Sequence, residues 1–548
     1  MPKILFLAVL LLVAACSKAP ETATTAAPGG GEPAPVATGA AQSPATPAAD
    51  PAKVETGIAW EKGDVDAAFA MARASNKPVF LYWGAVWCPP CNQVKATIFN
   101  RQDFIERSRF FVPVYLDGDS KSAQKLGSRF NVGGYPTMIL FTPDGTEITR
   151  LPGEVDADQY MRVLAMGMGG ARPVKATLAA ALAPRPGAAG TKLTPEDWRM
   201  LAYYSWETDE QTLIPKKDVA ATLRRLAQAC PADQATTATR LALKAVVASA
   251  SAKDARPSDD KAARDAITAV LGDPGIAREN FDLVTGYAGT ITGHVTLPQS
   301  GERAALVGAW DAVLQRFVAN VGLAATDRLT AVGARVDLAK LDAPKGPLPE
   351  SLLASVREQV ARGQKETTDP YARETVINAG AHVLADAGLL EESDALLNAE
   401  IARSRTPYYF MLGLAANAKK RGDKAGAVEW AEKAYAAAAG PATRLQWGAG
   451  YVNTMIDLTP EDAPRIERAA SQVIGELEPT PDTFYDRNRR SLERMARKLL
   501  AWNQGKQRQE SLQRIRAQLA GVCAKLPAGD PARAACAGVW NSAKAAAT

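Results

Sequence analysis

At 548 residues the chain is too long for one hydrophobic core, which stops growing at roughly 250 to 300 residues, so two or more folded units are expected. Hydrophobic residues make up 47% and charged residues 22%, a globular balance, and the abundance of alanine favours helix over sheet. A formal charge of +5 is too dilute to require an acidic partner such as nucleic acid.

The N-terminus sets the compartment. Met1-Pro2-Lys3 gives a positive start, Ile4 to Val13 is apolar but too short to span a bilayer permanently, and Val13-Ala14-Ala15 places small residues before Cys16. This resembles a bacterial lipoprotein signal, which implies cleavage before Cys16 and a lipid on that cysteine. Ser17 stands where an aspartate usually retains such proteins in the inner membrane, so the resemblance implies a periplasmic protein held at the outer membrane. An ordinary secretory signal with an incidental cysteine is the alternative. No later run is apolar enough to span a membrane. Residues 17–52, mostly Ala, Pro, Thr, Gly and Ser, cannot bury enough surface to fold, and they read as a tether with a reach on the order of 35 Å.

Between Trp60 and Met168 both structural periods alternate. Asp64 is placed to cap a helix with Val65, Ala68, Phe69 and Ala72 on one face, and Asn76-Lys77-Pro78 breaks it. Val79 to Trp83 reads as a strand buried on both sides, followed by Trp87-Cys88-Pro89-Pro90-Cys91 and a helical pattern to about Arg107. Phe110 to Leu116 predicts a second buried strand and Ser122 to Phe130 a helix. Thr137–Phe141 and Glu147–Leu151 predict a hairpin around Pro143-Asp144-Gly145, and a last helix runs from Asp156 to about Met166. That order describes one α/β domain.

The Cys-x-x-Cys after the first central strand, with Gly134-Tyr135-Pro136-Thr137 before the hairpin, resembles the thioredoxin superfamily. Lys77-Pro78-Val79, Thr97-Ile98-Phe99 and Asp144-Gly145 are similar to the C-terminal periplasmic domain of the membrane transporter that passes reducing equivalents to periplasmic thiol proteins. The resemblance covers about one fifth of the chain. It implies a cis peptide before Pro136, with Tyr135 offering backbone groups to an incoming peptide, and a Trp87 that shields the site and touches substrate. A core aromatic is the alternative for Trp87, and a plain element boundary for Pro136.

Cys88 at the mouth of a helix suits thiol chemistry, because unpaired N–H groups and the helix dipole favour a thiolate. Cys91 lies one turn on, within disulfide reach, and prolines are tolerated in a first helical turn. The alternatives are a purely structural disulfide and half a metal site. A zinc site needs about four ligands, yet the chain has two histidines, His294 and His382, and no second Cys-x-x-Cys. The redox pair is the favoured reading, with no cofactor and no metal. Two departures bear on it: Tyr82 stands where thioredoxin and the transporter domain carry a buried carboxylate that assists proton transfer, and Asn92-Gln93-Val94-Lys95 replaces the acidic residues that the transporter domain has after its second cysteine. Lys95 would favour thiolates if it lies near the sulfurs.

Gly169 to Lys192, with Pro173 and Pro184-Arg185-Pro186-Gly187, predicts a linker. From Thr194-Pro195-Glu196-Asp197, a good helix start, the chain reads as all-α. Gly388 and Gly422 are 34 residues apart, and each is followed 19 residues later by a proline, Pro407 and Pro441. This resembles a tetratricopeptide repeat and predicts a solenoid-like array. Ala427 and Ala434 fit the small-residue positions of that family, whereas Ser393 and Glu400 do not. The array serves either to recruit clients or as a spacer. Cys523 and Cys536 flank a breaker and are expected to form a disulfide, leaving Cys230 over. The Arg-rich stretch from Arg487 to Arg516 has interleaved glutamates and reads as a solvated helix face; no role falls to His294, in a turn-like segment, or to His382.

The expected layout is a signal peptide over 1–15, a disordered tether over 16–54, the thioredoxin-like α/β domain over 55–168, a linker over 169–192 and an α-helical domain over 193–548. The expected function is an exported, lipid-anchored thiol-disulfide oxidoreductase that reduces or isomerises protein disulfides. Its partners would be protein thiol or disulfide clients and an upstream electron donor, with no nucleic acid. A tetratricopeptide-like envelope scaffold with incidental redox activity is the alternative.

Overall fold

A computed structural model describes residues 57–120, 123–151, 156–183, 192–209 and 211–545; Cys16, the signal and the tether lie outside the described residues. Helix α1 (Val65–Ser75) begins where Asp64 accepts a hydrogen bond from the Ala67 N–H and ends at Asn76, whose φ is 50°. Its buried residues are Val65, Ala68, Phe69 and Ala72. The sheet has five strands in the order β1 (Glu61–Lys62), β3 (Val112–Asp117), β2 (Val79–Gly84), β4 (Thr137–Phe141), β5 (Glu147–Leu151). β3 runs parallel to β1 and β2, while β4 pairs antiparallel with β2 and β5. Every residue of β2 is buried, as its unbroken apolar run requires.

The helical pattern from Cys91 to Arg107 is divided in the structure. Helix α2 (Pro89–Val94) continues into a π-helical turn, Lys95–Phe99, and α3 (Gln102–Ser108) starts afresh after Arg101, whose backbone is extended. The break lets Phe99 and Phe104 enter the same cluster, their rings 4.9 Å apart. Helices α4 (Ala123–Arg129) and α5 (Ala157–Met168) complete the domain. The expected linker is corrected in part: it contains helix α6 (Val174–Ala181), because Val174 and Leu178 are apolar enough to bury against the sheet's own cluster.

The remaining chain is helical. It continues with α7 (Pro195–Tyr203), α8 (Val219–Ala229), α9 (Ala235–Ala250), α10 (Lys261–Gly272), α11 (Pro274–Glu279), α12 (Phe281–Gly286) and α13 (Ala288–Val295). Then come α14 (Gly301–Ala319), α15 (Ala325–Ala339), α16 (Glu350–Glu366), α17 (Pro370–Ala387), α18 (Leu390–Ile401) and α19 (Pro407–Arg421). The last six are α20 (Lys424–Ala437), α21 (Pro441–Leu458), α22 (Ala463–Gly475), α23 (Asp486–Trp502), α24 (Gln509–Ala524) and α25 (Pro531–Ala545). α17 with α18 and α19 with α20 form packed pairs turning at Gly388 (φ 90°) and Gly422 (φ 83°), backbone positions that suit glycine. Ser393, off the small-apolar pattern, is buried and donates its hydroxyl to Ala381 O, so a polar contact replaces an apolar one. Cys523 and Cys536 are joined between α24 and α25, and Cys230 is a free, half-buried thiol.

The two faces of the sheet are covered by different parts of the helical chain. Phe80, Tyr82, Met138 and Leu140 share one cluster with α5 to α9. Val79, Leu81 and Trp83 share the other with α1, the two cysteines, and Tyr408, Ala434, Ala438 and Trp447 from far along the sequence. The helical array thus leaves the sheet on one side and returns to it on the other.

Candidate functional site: a covered dithiol

Cys88 is the N-cap of α2, with Pro89 and Pro90 in the first turn, and its Sγ accepts the Cys91 N–H at 3.2 Å. Missing proline N–H groups cost little in this turn, so the motif closes a compact loop without breaking α2. The two sulfurs are bonded, with the Cα atoms 5.2 Å apart. The Tyr135–Pro136 peptide is cis, and Trp87, Cys88, Cys91 and Tyr135 belong to one cluster. Of the sequence-predicted site residues, Trp87, Cys88, Cys91 and Tyr135 are therefore brought together at one end of the sheet, with Pro136 next in the chain, while Cys523 and Cys536 lie in a different cluster.

The site is not open. Cys88 is 3% exposed and Cys91 fully buried. Trp87 packs parallel to Tyr409 of α19 at 6.1 Å and edge-on to Trp447 of α21 at 4.6 Å. Arg487 of α23 lies over the Tyr135 ring at 4.4 Å and over Trp87 at 5.8 Å. This corrects the solvated-face reading of the Arg-rich stretch at its first member: Arg487 faces inward because two aromatic faces at the sheet's end attract a weakly hydrated guanidinium. Trp87 is buried in the cluster it shares with Val79, Leu81 and the two cysteines, and its ring also forms part of the seam with Tyr409 and Trp447.

Polar contacts fix the seam. Thr375 of α17 donates its hydroxyl to Pro89 O at 2.7 Å, and the neighbouring Glu374 accepts from Asn92 Nδ2 at 3.1 Å. Asp119, just beyond β3, accepts the Thr443 N–H at 2.8 Å and also the Thr443 hydroxyl. Gln124 of α4 accepts the Asn488 N–H at 3.2 Å through Oε1, while its Nε2 donates to the Tyr135 hydroxyl at 3.3 Å. Helices α21 and α23 have no side-chain cap from their own N-cap residues, Gly440 and Tyr485, so the thioredoxin-like part supplies an acceptor to each.

Burial pushes the Asp119 carboxyl above its ordinary value, with the hydrogen bonds from Thr443 opposing. Burial does the same to Asp117, against the nearby Lys95, and to Glu374, against hydrogen bonds from Ser404 and Thr406. Burial also pushes Tyr409 up to about 12, with Arg487 opposing. Lys95 is buried, its ammonium over the rings of Tyr115 and Tyr371 at 5.4 and 5.6 Å. Tyr82, where the superfamily places a carboxylate, is buried and stacked on Tyr115 at 5.4 Å. His382 is half-buried in α17 with Nδ1 at 2.6 Å from Asn378 O, and His294 lies in α13 rather than in a turn.

Sequence reading missed Asp119, Gln124, Glu374, Thr375, Tyr409, Trp447 and Arg487. The one local trace was Gly440-Pro441, a helix start without a capping side chain.

A thioredoxin-like domain family model matches residues 65–167. Over 103 residues the chain is 32% identical to the thiol:disulfide interchange protein DsbD of Pseudomonas fluorescens, 18% of each chain, and over 97 residues 35% identical to DsbD 1 of Pseudomonas aeruginosa. It is also 33% identical over 100 residues to a thioredoxin of Mycobacterium bovis, covering 18% of this chain and 82% of that thioredoxin. The chain belongs to the thioredoxin family. Only its thioredoxin-like domain carries this membership, and the chain spans 16–18% of the length of the DsbD relatives it matches. The helices that cover the dithiol lie outside the matched region.

Proposed function

We propose that the protein is a periplasmic thiol-disulfide oxidoreductase, anchored to the outer membrane through a lipid on Cys16, that reduces or isomerises protein disulfides. The observation that carries the chemistry is the Cys88–Cys91 pair at the start of α2, clustered with Trp87 and the Tyr135 that precedes cis Pro136. In the reduced form the Cys88 thiolate attacks one sulfur of a client disulfide, forming a mixed disulfide and releasing the other client sulfur as a thiolate that takes up a proton. The Cys91 thiolate then attacks Cys88 Sγ, which releases the second client thiol and leaves the Cys88–Cys91 disulfide. An upstream dithiol returns the two electrons. The thiol:disulfide interchange named for the DsbD relatives supports exchange chemistry at this cysteine pair. The tetratricopeptide-like array would recruit the client.

An insulin-reduction assay with Cys88→Ser as control tests the activity, and Cys91→Ser should trap a client as a mixed disulfide. A potential near −270 mV supports reduction, and one nearer −120 mV supports oxidation. The burial of Cys88 favours a second reading, in which the chain is an envelope scaffold whose covered dithiol turns over little. That reading expects the same low insulin reduction from the native chain and from Cys88→Ser.

A further inference from the structure

Exchange requires a client sulfur to approach Cys88 Sγ in line with the bond being broken, and Cys88 is 3% exposed beside Trp87, whose ring is packed against rings from two helices. The cover is chemically specific. An aromatic pair, Tyr409 and Trp447, lies against Trp87, while the guanidinium of Arg487 spans Trp87 and Tyr135. Around it the seam is polar, held by the Asp119–Thr443, Gln124–Asn488, Asn92–Glu374 and Pro89–Thr375 contacts. Two of those groups, Asp119 and Glu374, are half-buried carboxyls. Such a seam, polar at its edges, can part without exposing a wholly apolar core.

We propose that α19, α21 and α23 cover the dithiol in place of a client: Tyr409, Trp447 and Arg487 hold the surface on which a client's cysteine-bearing segment docks. The client that displaces them offers the same groups, an aromatic and a cationic side chain beside its cysteine. This rests on the oxidoreductase reading for its client, though the cover itself does not. Recruitment and competition then belong to the same helices, and turnover is set by how often the cover lifts.

The test uses the full reduced chain with Cys91→Ser, alkylated by a maleimide, with modification followed at each cysteine; Cys230, packed against the other cluster of the sheet, is the internal reference. Tyr409→Ala with Trp447→Ala is expected to raise Cys88 alkylation about tenfold, equivalent to about 1.4 kcal/mol of lost covering. Cys230 should be unaffected, and Tyr409→Phe, which keeps the ring contact, should match the parent. An unchanged Cys88 rate in a folded double variant overturns the cover, as does an equal rise at Cys230, which would mean general loosening. In chains retaining Cys91, a disulfide-linked peptide with Tyr and Arg flanking its cysteine should be reduced about tenfold more efficiently than one with Ala and Glu. That preference should persist in Arg487→Ala, which leaves Tyr135 and Trp87 for the client's Arg, with both peptides reduced faster than by the parent. Equal efficiencies overturn the client match. Faster alkylation with no exchange in any chain sinks the oxidoreductase reading and the client match together, while leaving the cover standing.

Discussion

The carboxylate of Asp119 caps a helix that begins more than three hundred residues later. It accepts both the N–H and the hydroxyl of Thr443, at the third position of α21, where Gly440 has no side chain to do so. Replacing Asp119 by Ala strands a buried N–H and a buried hydroxyl. A lost cap costs about 0.5–2 kcal/mol and an unsatisfied buried group about 1–3 kcal/mol, so the unfolding free energy should fall by an amount in that range and the denaturant midpoint with it. Asp119→Asn keeps an acceptor and should recover most of it. A midpoint unchanged in the Ala variant would refute the capping role.

Gly440 meets the same carboxylate from the other side. Its φ is +86°, and a Cβ there would lie 2.6 Å from Asp119 Cγ. Gly440→Ala therefore combines backbone strain of order 1–3 kcal/mol with a collision that drives the Asp119 side chain off Thr443 and loosens the seam. The expected readout is a red shift of tryptophan emission, as Trp87 and Trp447 become wet, with little loss of helical circular dichroism.

The docked carboxyls give the seam a pH dependence of definite sign. The Glu374 carboxyl is raised by burial above its ordinary 4.5, so between that value and its folded-state value the native chain binds more protons than the unfolded one. Stability from this group is full below pH 4.5 and declines as the pH rises through the folded-state value. Asp119 and Asp117 act in the same direction, while Lys95 and Arg405 oppose. Glu374→Gln should flatten the fall in melting temperature over the mildly acidic range. An unaltered pH profile would exclude Glu374 as a contributor.

The Cys523–Cys536 bond ties α24 to α25. Closing a loop of this size is worth about 3 kcal/mol through the unfolded state, so Cys523→Ser with Cys536→Ser should lower the unfolding free energy by roughly 2–4 kcal/mol. Cys88 alkylation should be unaffected, since neither cysteine reaches the seam. Denaturant melts monitored by circular dichroism check the first expectation and mass spectrometry the second.

What could be read from the sequence followed locality. The strands at Val79, Thr137 and Glu147, the α1 cap at Asp64 and the glycine turns at 388 and 422 are each set by neighbouring residues, and each is present. The short β1 was missed because Glu61 and Lys62 carry no apolar signal; the backbone of Val114 and Tyr115 recruits them. The interruption of the helix after Cys91 depends on Phe99 and Phe104 packing together, which periodicity does not reveal. The dithiol was legible because its ligand-poor surroundings and proline pair are local. Its cover was not: Tyr409, Trp447 and Arg487 have ordinary helical contexts, and only tertiary packing carries them to Trp87.

The hydrogen bonds that close the seam join residues 282 to 364 positions apart. A chain made from its N-terminus therefore completes the cysteine loop long before the helices that shelter it exist. Until then the nascent thiols face whatever oxidants surround them, so a premature partner captured at that stage would be sealed in, or would keep the late helices from ever docking.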